Sequence, residues 1–294
     1  MDLKKFIENQ GLDNFPIGLG GCRNLDYFFD SCDYDLMVFD ESSSNNQIIP
    51  FENDIVTIHH SSLSETNTKK LLQYDKLKIV QDESWNLKIL LSKISEKRDS
   101  LFSDFAKNSL IESIFCCQKT KDAIQNEDPF AACWQKCACY YLADAISSLN
   151  YNSSSPSHML DSLRKSPKNS TNNHISNILQ TIGIERATPT LLERMLKSTI
   201  GFSDLIEQNN HSELIQRKYD YFMENSMLSD CYFYLGYINK ENFISIKDEL
   251  NKREDLIHLL KIAFDIESET NLLLHNAETI QVSCSQIIET FSQG

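Results

Sequence analysis

"GLGGCRNLDYFFDSCDYDLMVFD", residues 18–40, carries two aspartates, Asp33 and Asp35, at the mouth of an apolar run. Successive side chains of a strand alternate between faces, so Asp33, Asp35, Met37 and Phe39 point one way and Tyr34, Leu36 and Val38 the other. Two carboxylates held side by side repel, and each raises the other's pKa unless a cation lies between them. The pair therefore asks for a metal ion. All its donors are oxygens and no Cys or His stands at ligand spacing beside them, which favours Mg2+ or Mn2+ over Zn2+.

The 294 residues carry a net charge of −14 and a hydrophobic fraction of 41%. That acidity argues against generic DNA binding, because neutralising phosphates needs a basic surface. Residues 1–97 alone hold ten Lys and Arg against sixteen Asp and Glu. A small-molecule, protein or RNA-end acceptor is easier to accommodate than a long polyanion. No run of about 18 apolar residues exists and residues 1–10 lack an apolar signal core, so no membrane association and a cytoplasmic location are expected. Nine cysteines, several inside apolar helix-like sequence, argue against a disulfide framework and for a reducing compartment.

The first third alternates in type. Short helices are expected over 2–10 and over Asn24–Asp30, with strands at Tyr34–Phe39, Asp54–His59 and 76–80 and a flexible connection at 41–47. From about Trp85 onward apolar residues recur at helical spacing. In "EDPFAACWQKCACYYLADAISSL" Asp128 reads as an N-cap and Pro129 as the first helical residue. That helix is apolar nearly all round, as the centre of a bundle would be. Four or so further helices are expected across 188–292. Three units follow: 1–97, a small α+β domain; 98–185, a helical bundle; and 186–294, a further helical extension.

Gly18, Gly20 and Gly21 precede the expected short helix, and small residues there let backbone N–H groups approach an anion at a helix N-terminus. Arg23 stands where it could meet a phosphate. The alternative, a dinucleotide fingerprint, lacks its third glycine, and no convincing strand is read before the turn. An anion cradle followed by a metal-seeking pair suits a metal-bound polyphosphate. Leu19, Gly20, Gly21, eleven residues, Asp33, Tyr34, Asp35 and Leu36 together resemble the signature of the polymerase-beta-like nucleotidyltransferase superfamily. The likeness covers roughly residues 10–95 and is greatest to the minimal, kanamycin-nucleotidyltransferase-like branch.

That resemblance implies an α+β fold in which a small mixed β-sheet precedes an all-helical bundle. It implies Mg2+-dependent transfer of a nucleoside monophosphate from a nucleoside triphosphate such as ATP to an acceptor hydroxyl. Asp33 and Asp35 would hold the metal, Gly20, Gly21, Cys22 and Arg23 the nucleotide. A third carboxylate on a neighbouring strand would complete the site, with Asp54 fitting best and Glu52 and Asp82 behind it. A degenerate scaffold that binds a nucleotide or protein without transfer is the alternative, and the helical half is expected to line the acceptor pocket or to meet a protein partner or a second copy. His59 and His60 alternate faces, so at most one faces the site. Cys116, Cys117, Cys133, Cys137 and Cys139 read as core rather than as zinc ligands. Arg253 and His258 fit the spacing of an RNA-cutting helical motif, but chance accounts for such a pair.

Overall fold

The computed structural model describes residues 2–25, 28–153, 155–206, 211–266 and 269–292. Helix α1 (Leu3–Asn9) starts where the Asp2 carboxylate accepts the N–H groups of Lys4 and Lys5, satisfying two donors that have no partner inside the helix. Five strands follow: β1 (Ile17–Gly20), β2 (Tyr34–Val38), β3 (Gln47–Phe51), β4 (Asp54–His60) and β5 (Lys78–Gln81), with α2 (Thr68–Gln73) between the last two. They form one mixed sheet in the order β3-β4-β2-β1-β5. Among the described strands only β2 and β4 run parallel; β1 pairs antiparallel with both β2 and β5, and β3 with β4.

The alternation expected of residues 33–39 organises this half. On one face Leu36 and Val38 join Ile17, Val56 and Ile58 under Phe6 and Ile7 of α1. On the other, Met37 and Phe39 pack with Leu72, Tyr74, Leu87, Ile94 and Phe102. The carboxylate face is thus the one covered by α2, α3 (Asn86–Glu96) and α4 (Arg98–Gln125), while α1 covers the other.

The helical remainder comprises α5 (Ala131–Leu149), α6 (Pro156–Lys165), α7 (Ile175–Ile182), α8 (Pro189–Ile206), α9 (His211–Glu224), α10 (Leu228–Ser245), α11 (Ile257–Ala263) and α12 (Thr270–Ser292). One continuous apolar core runs from Leu110 of α4 to Ile287 of α12, so residues on both sides of position 185 share it. α5 is buried on nearly every side, the position its unbroken apolar circumference requires. Cys116, Cys117, Cys133, Cys137 and Cys139 are buried free thiols, and burial pushes the Cys117 thiol up to about 12.

Several local expectations are corrected. The strand not read before the glycine turn exists as β1, four residues long and two of them glycine, which removes the β-branched signature a strand usually carries. The connection after β2 ends in β3, whose two-residue link to β4 has Glu52 at a φ of 56°. In place of a helix over Asn24–Asp30 there is a single 3-10 turn at Cys22–Asn24, while residues 26 and 27 lie outside the described residues. α5 begins at Ala131, after Pro129; the Asp128 carboxylate still accepts an N–H, that of Phe130 at 2.9 Å. Arg253 pairs with Asp255, two residues on.

Close helix packing predicts one sensitive glycine. A Cβ at Gly236 of α10 would lie 1.9 Å from the Tyr140 hydroxyl and 2.7 Å from its Cζ, inside a fully buried contact with α5. Gly236→Ala is expected to destabilise the fold by about 1–3 kcal/mol, because a packed core cannot give by that much. Urea denaturation measures it, and an unchanged midpoint would contradict the packing.

Candidate active site

Register sets the centre of the site. Antiparallel pairing puts Gly20 opposite Asp35, and parallel pairing puts Thr57 of β4 beside it. Gly21 follows with a φ of 64°, a left-handed conformation that favours glycine. A Cβ there would fall 1.8 Å from Asp35 Oδ2. The backbone of the turn therefore lies directly against the carboxylate, at a distance no side chain permits.

Asp33 is buried and its oxygens have partners. The Thr57 hydroxyl donates to Oδ2 at 2.6 Å, and the Lys218 ammonium of α9 lies 3.0 Å from Oδ1. Burial alone would raise the Asp33 pKa, but the lysine charge and these hydrogen bonds outweigh it and hold the carboxyl below its ordinary value. Burial likewise works against the charge on Lys218, which Asp33, Tyr234 and Asp35 overcome to raise its pKa. Asp35 is treated oppositely: burial, then the charge of Asp33, raise its pKa, and only the His59 contact at 2.9 Å and the more distant lysine offset them. Two carboxylates thus share one lysine, and the unbalanced charge rests on Asp35.

Asp35 opens onto a cavity of about 330 Å3 between sheet and bundle, lined also by Gly21 and His59 and, from the helices, by Lys69, Asp144, Tyr237 and Glu241. The helical wall is internally neutral. Lys240 lies 3.0 Å from Asp144 and 2.7 Å from Glu241, Lys69 lies 3.2 Å from Glu241, and the Tyr237 hydroxyl donates to Asp144 at 2.8 Å. Asp35 is therefore the acid of this wall with no lysine or arginine at ion-pair distance among the described residues, its close partner being His59 at 2.9 Å.

The third carboxylate is the principal correction. Asp54 lies on the opposite parity of β4 from Thr57 and His59, with Val56 and Ile58 on the α1 face, so it does not share the Asp33 and Asp35 face. Its Oδ1 lies 3.3 Å from Arg23 and 3.5 Å from Arg217. Glu52 pairs with Lys5 at the β3–β4 turn, and Asp82 accepts the Lys88 N–H at the start of α3. Among the described residues no three of these acids bring ligand oxygens within 4.8 Å of one another. The all-oxygen chemistry of Asp33 and Asp35 suits a hard cation, with Asp35 the one that lines the cavity, and among the described residues no third carboxylate joins them.

Arg23 and Cys22 also differ from expectation. Arg23 donates to the carbonyls of Cys32 at 2.8 Å and Asp30 at 3.1 Å and lies over the rings of Phe28 and Tyr34, bracing the loop rather than facing the cavity. Cys22 is buried and joined to Cys32 in a disulfide, the one pair where free thiols were expected. Next to it His158 of α6 is held neutral, its pKa brought down to about 4 by burial and by the Lys218 charge.

Sequence reading missed Thr57 and Lys218 and left His59 undecided. Strand parity, once β4 is placed beside β2 in register, identifies Thr57 and His59. Nothing local marks Lys218, which sits on an amphipathic helix far along the chain. Arg217, its neighbour, donates to the carbonyls of Asn53 and Asp30, so two successive residues fasten α9 to the open end of the sheet.

No family model matches the chain, and no curated protein matches it. Among solved structures it is similar to a nucleotidyltransferase-like protein from Exiguobacterium sibiricum 255-15, with 11% identity and a TM-score of 0.33 over 87% of this chain and 89% of that one. No helix among the described residues is long and apolar enough to cross a membrane.

Removing the counter-ion of Asp33 and removing the charge of Asp35 should move stability in opposite directions. Lys218→Met leaves Asp33 buried without its partner and is expected to cost about 3–5 kcal/mol. Asp35→Asn removes a like charge and should stabilise by about 1 kcal/mol, as functional-site substitutions often do. The pH dependence follows the same signs. Stability from the lowered pKa of Asp33 is present above the ordinary carboxylate value and lost as pH falls through the folded one. The raised pKa of Asp35 makes the fold gain stability as pH falls through its folded value towards the ordinary one, a gain absent from Asp35→Asn. Urea midpoints from pH 3 to pH 8 test both, and equal effects of the two substitutions would contradict the assignment.

Proposed function

We propose that this chain is a nucleotidyltransferase, taking a nucleoside triphosphate such as ATP in the cavity between sheet and bundle and passing its nucleoside monophosphate to an acceptor hydroxyl. The observation that carries this reading is the approach of the Gly21 backbone to the Asp35 carboxylate, since it joins an anion-accepting turn to a cation-seeking acid at one cavity. A hydroxyl attacking the α-phosphorus in line needs both reactants held in register and the departing pyrophosphate's charge balanced.

Each element has a role in that proposal. The turn at Gly20 and Gly21 receives phosphate oxygens. Asp35, with Asp33, holds Mg2+ or Mn2+, which when bound supplies positive charge to the phosphates and the attacking oxygen. His59 and Thr57 orient the two carboxylates. Lys218, buried behind the cavity wall, balances Asp33. Asp144 and Tyr237, on the bundle side, line the cavity where the hydroxyl substrate would sit, and with the Tyr237 hydroxyl already donating to Asp144 both present acceptor oxygens to it. The net charge of −14 favours a small-molecule, protein or short RNA-end acceptor over a long nucleic acid.

A second reading has its own observation. Lys218 at 3.0 Å from Asp33 is a permanent counter-ion if it never moves, and a carboxylate so neutralised recruits no metal. The fold then serves as a nucleotide- or protein-binding scaffold without transfer.

Thermal shift with each nucleoside triphosphate, with and without Mg2+, separates these readings on wild type and Asp35→Asn. Saturation at about a hundredfold excess over Kd adds about 2.7 kcal/mol, several degrees for a chain of this size. A Mg2+-dependent shift lost in Asp35→Asn, with pyrophosphate released when a hydroxyl acceptor is supplied, is the expected result. A nucleotide shift indifferent to Mg2+ and without pyrophosphate favours the scaffold, and no shift with any triphosphate rejects both nucleotide readings.

A further inference from the structure

Cys22, Cys32 and His158 come together from three separate elements: the 3-10 turn after β1, the residue before Asp33, and the first turn of α6. All three are buried, and a donor atom from each lies within 4.8 Å of the other two. His158 Nε2 is 3.2 Å from Cys32 Sγ. Ligands at about 2.0–2.3 Å from one ion are at most about 4.6 Å apart; the Cys22 and Cys32 sulfurs are brought together by their covalent link, and the His158 nitrogen at 3.2 Å from Cys32 Sγ stands within that reach of it.

The donors are also held in place. Phe29 stacks on the His158 ring with centroids 3.9 Å apart and planes at 24°, fixing the direction of the imidazole. Arg23 Nε donates to the Cys32 carbonyl at 2.8 Å, fixing the backbone that carries the second sulfur. Cys22 and Cys32 form a disulfide, whereas the other seven cysteines are free. Where those seven stay reduced, exchange with a small dithiol opens the pair: the protein S–S bond accepts two electrons and two protons, giving two thiols, and the dithiol becomes its own cyclic disulfide.

We propose that the reduced Cys22, Cys32 and His158 form a binding site for a thiophilic d10 ion, Zn2+ or Cu+, distinct from the carboxylate pair. Two sulfurs and one imidazole nitrogen are a soft donor set that selects such ions over Mg2+. Binding displaces one proton from each thiol, so the ion replaces the covalent link with a coordinate one and neutralises thiolates that burial would otherwise forbid. The ion would tie the glycine turn to the start of β2 and both to α6, holding the two halves of the molecule together whether or not a nucleotide is bound.

The test uses the full chain, reduced with a phosphine and incubated anaerobically with Zn2+ or, separately, with Cu+, then freed of excess ion and analysed for metal by mass spectrometry. One equivalent per chain is expected with at least one of the two ions, and which arm retains it identifies the ion. Co2+ as a reporter should give a thiolate-to-cobalt charge-transfer band. Cys32→Ser and His158→Gln should lose the stoichiometric ion, and Cys284→Ser, far from the cluster in the bundle core, should keep it. Wild-type protein that is fully reduced by thiol titration, folded by circular dichroism and free of both ions overturns the proposal, as does retention equal to that of a Cys22→Ser/Cys32→Ser double variant. The wild-type measurement stands even if a variant fails to fold.

Discussion

The buried ion pair between Asp33 and Lys218 is the constraint on which the junction of the two halves depends. Removing both charges from water costs several kcal/mol each, and only close geometry with further hydrogen bonds offsets it. Both conditions are met here: the pair is at 3.0 Å, and Thr57 satisfies the second carboxylate oxygen. Because Lys218 belongs to α9 and Asp33 to the lip of β2, the pair makes sheet and bundle position each other. Arg217 adds contacts at the same end, to the Asn53 and Asp30 carbonyls and to Asp54.

A lysine shared by two acids leaves one of them unbalanced, and the site's character follows from that asymmetry. Asp33 is satisfied and inward, whereas Asp35 is raised in pKa, pressed against the Gly21 backbone and open to the cavity. Elsewhere in the wall acids and lysines cancel, as Lys69, Glu241, Lys240 and Asp144 do. Charge imbalance concentrated at one carboxylate beside a left-handed glycine turn costs stability that packing alone would not demand.

Much of this was legible in residues 18–40. Period-two alternation put Asp33 and Asp35 on the face of Met37 and Phe39, and the packing of those two residues under α2–α4 bears that out. The change to helical periodicity after Trp85 and the buried circumference of α5 were equally readable, since both are repeated signals summed over many residues. Short elements were not. β1 is half glycine, β3 contains Pro50, and each is a strand only because a neighbour supplies its hydrogen bonds. The third carboxylate failed for a related reason: Asp54 opens a convincing strand, but which face it occupies is settled by the register of β4 against β2, and a one-residue difference in register reverses every side chain.

The sequence by itself determined what depends on spacing along the chain: the α+β character, the glycine turn, two acids on one face, and a bundle with an apolar centre. Tertiary structure alone decided what depends on distance across it. It delivered Lys218 to Asp33, turned Asp54 to Arg23 and Arg217, and closed Cys22, Cys32 and His158 into one cluster. The physical reason is that local periodicity fixes direction relative to a residue's own strand or helix, whereas charge balance and ligand sets are properties of neighbours. For this chain those neighbours are chosen by how α6 and α9 dock on the sheet.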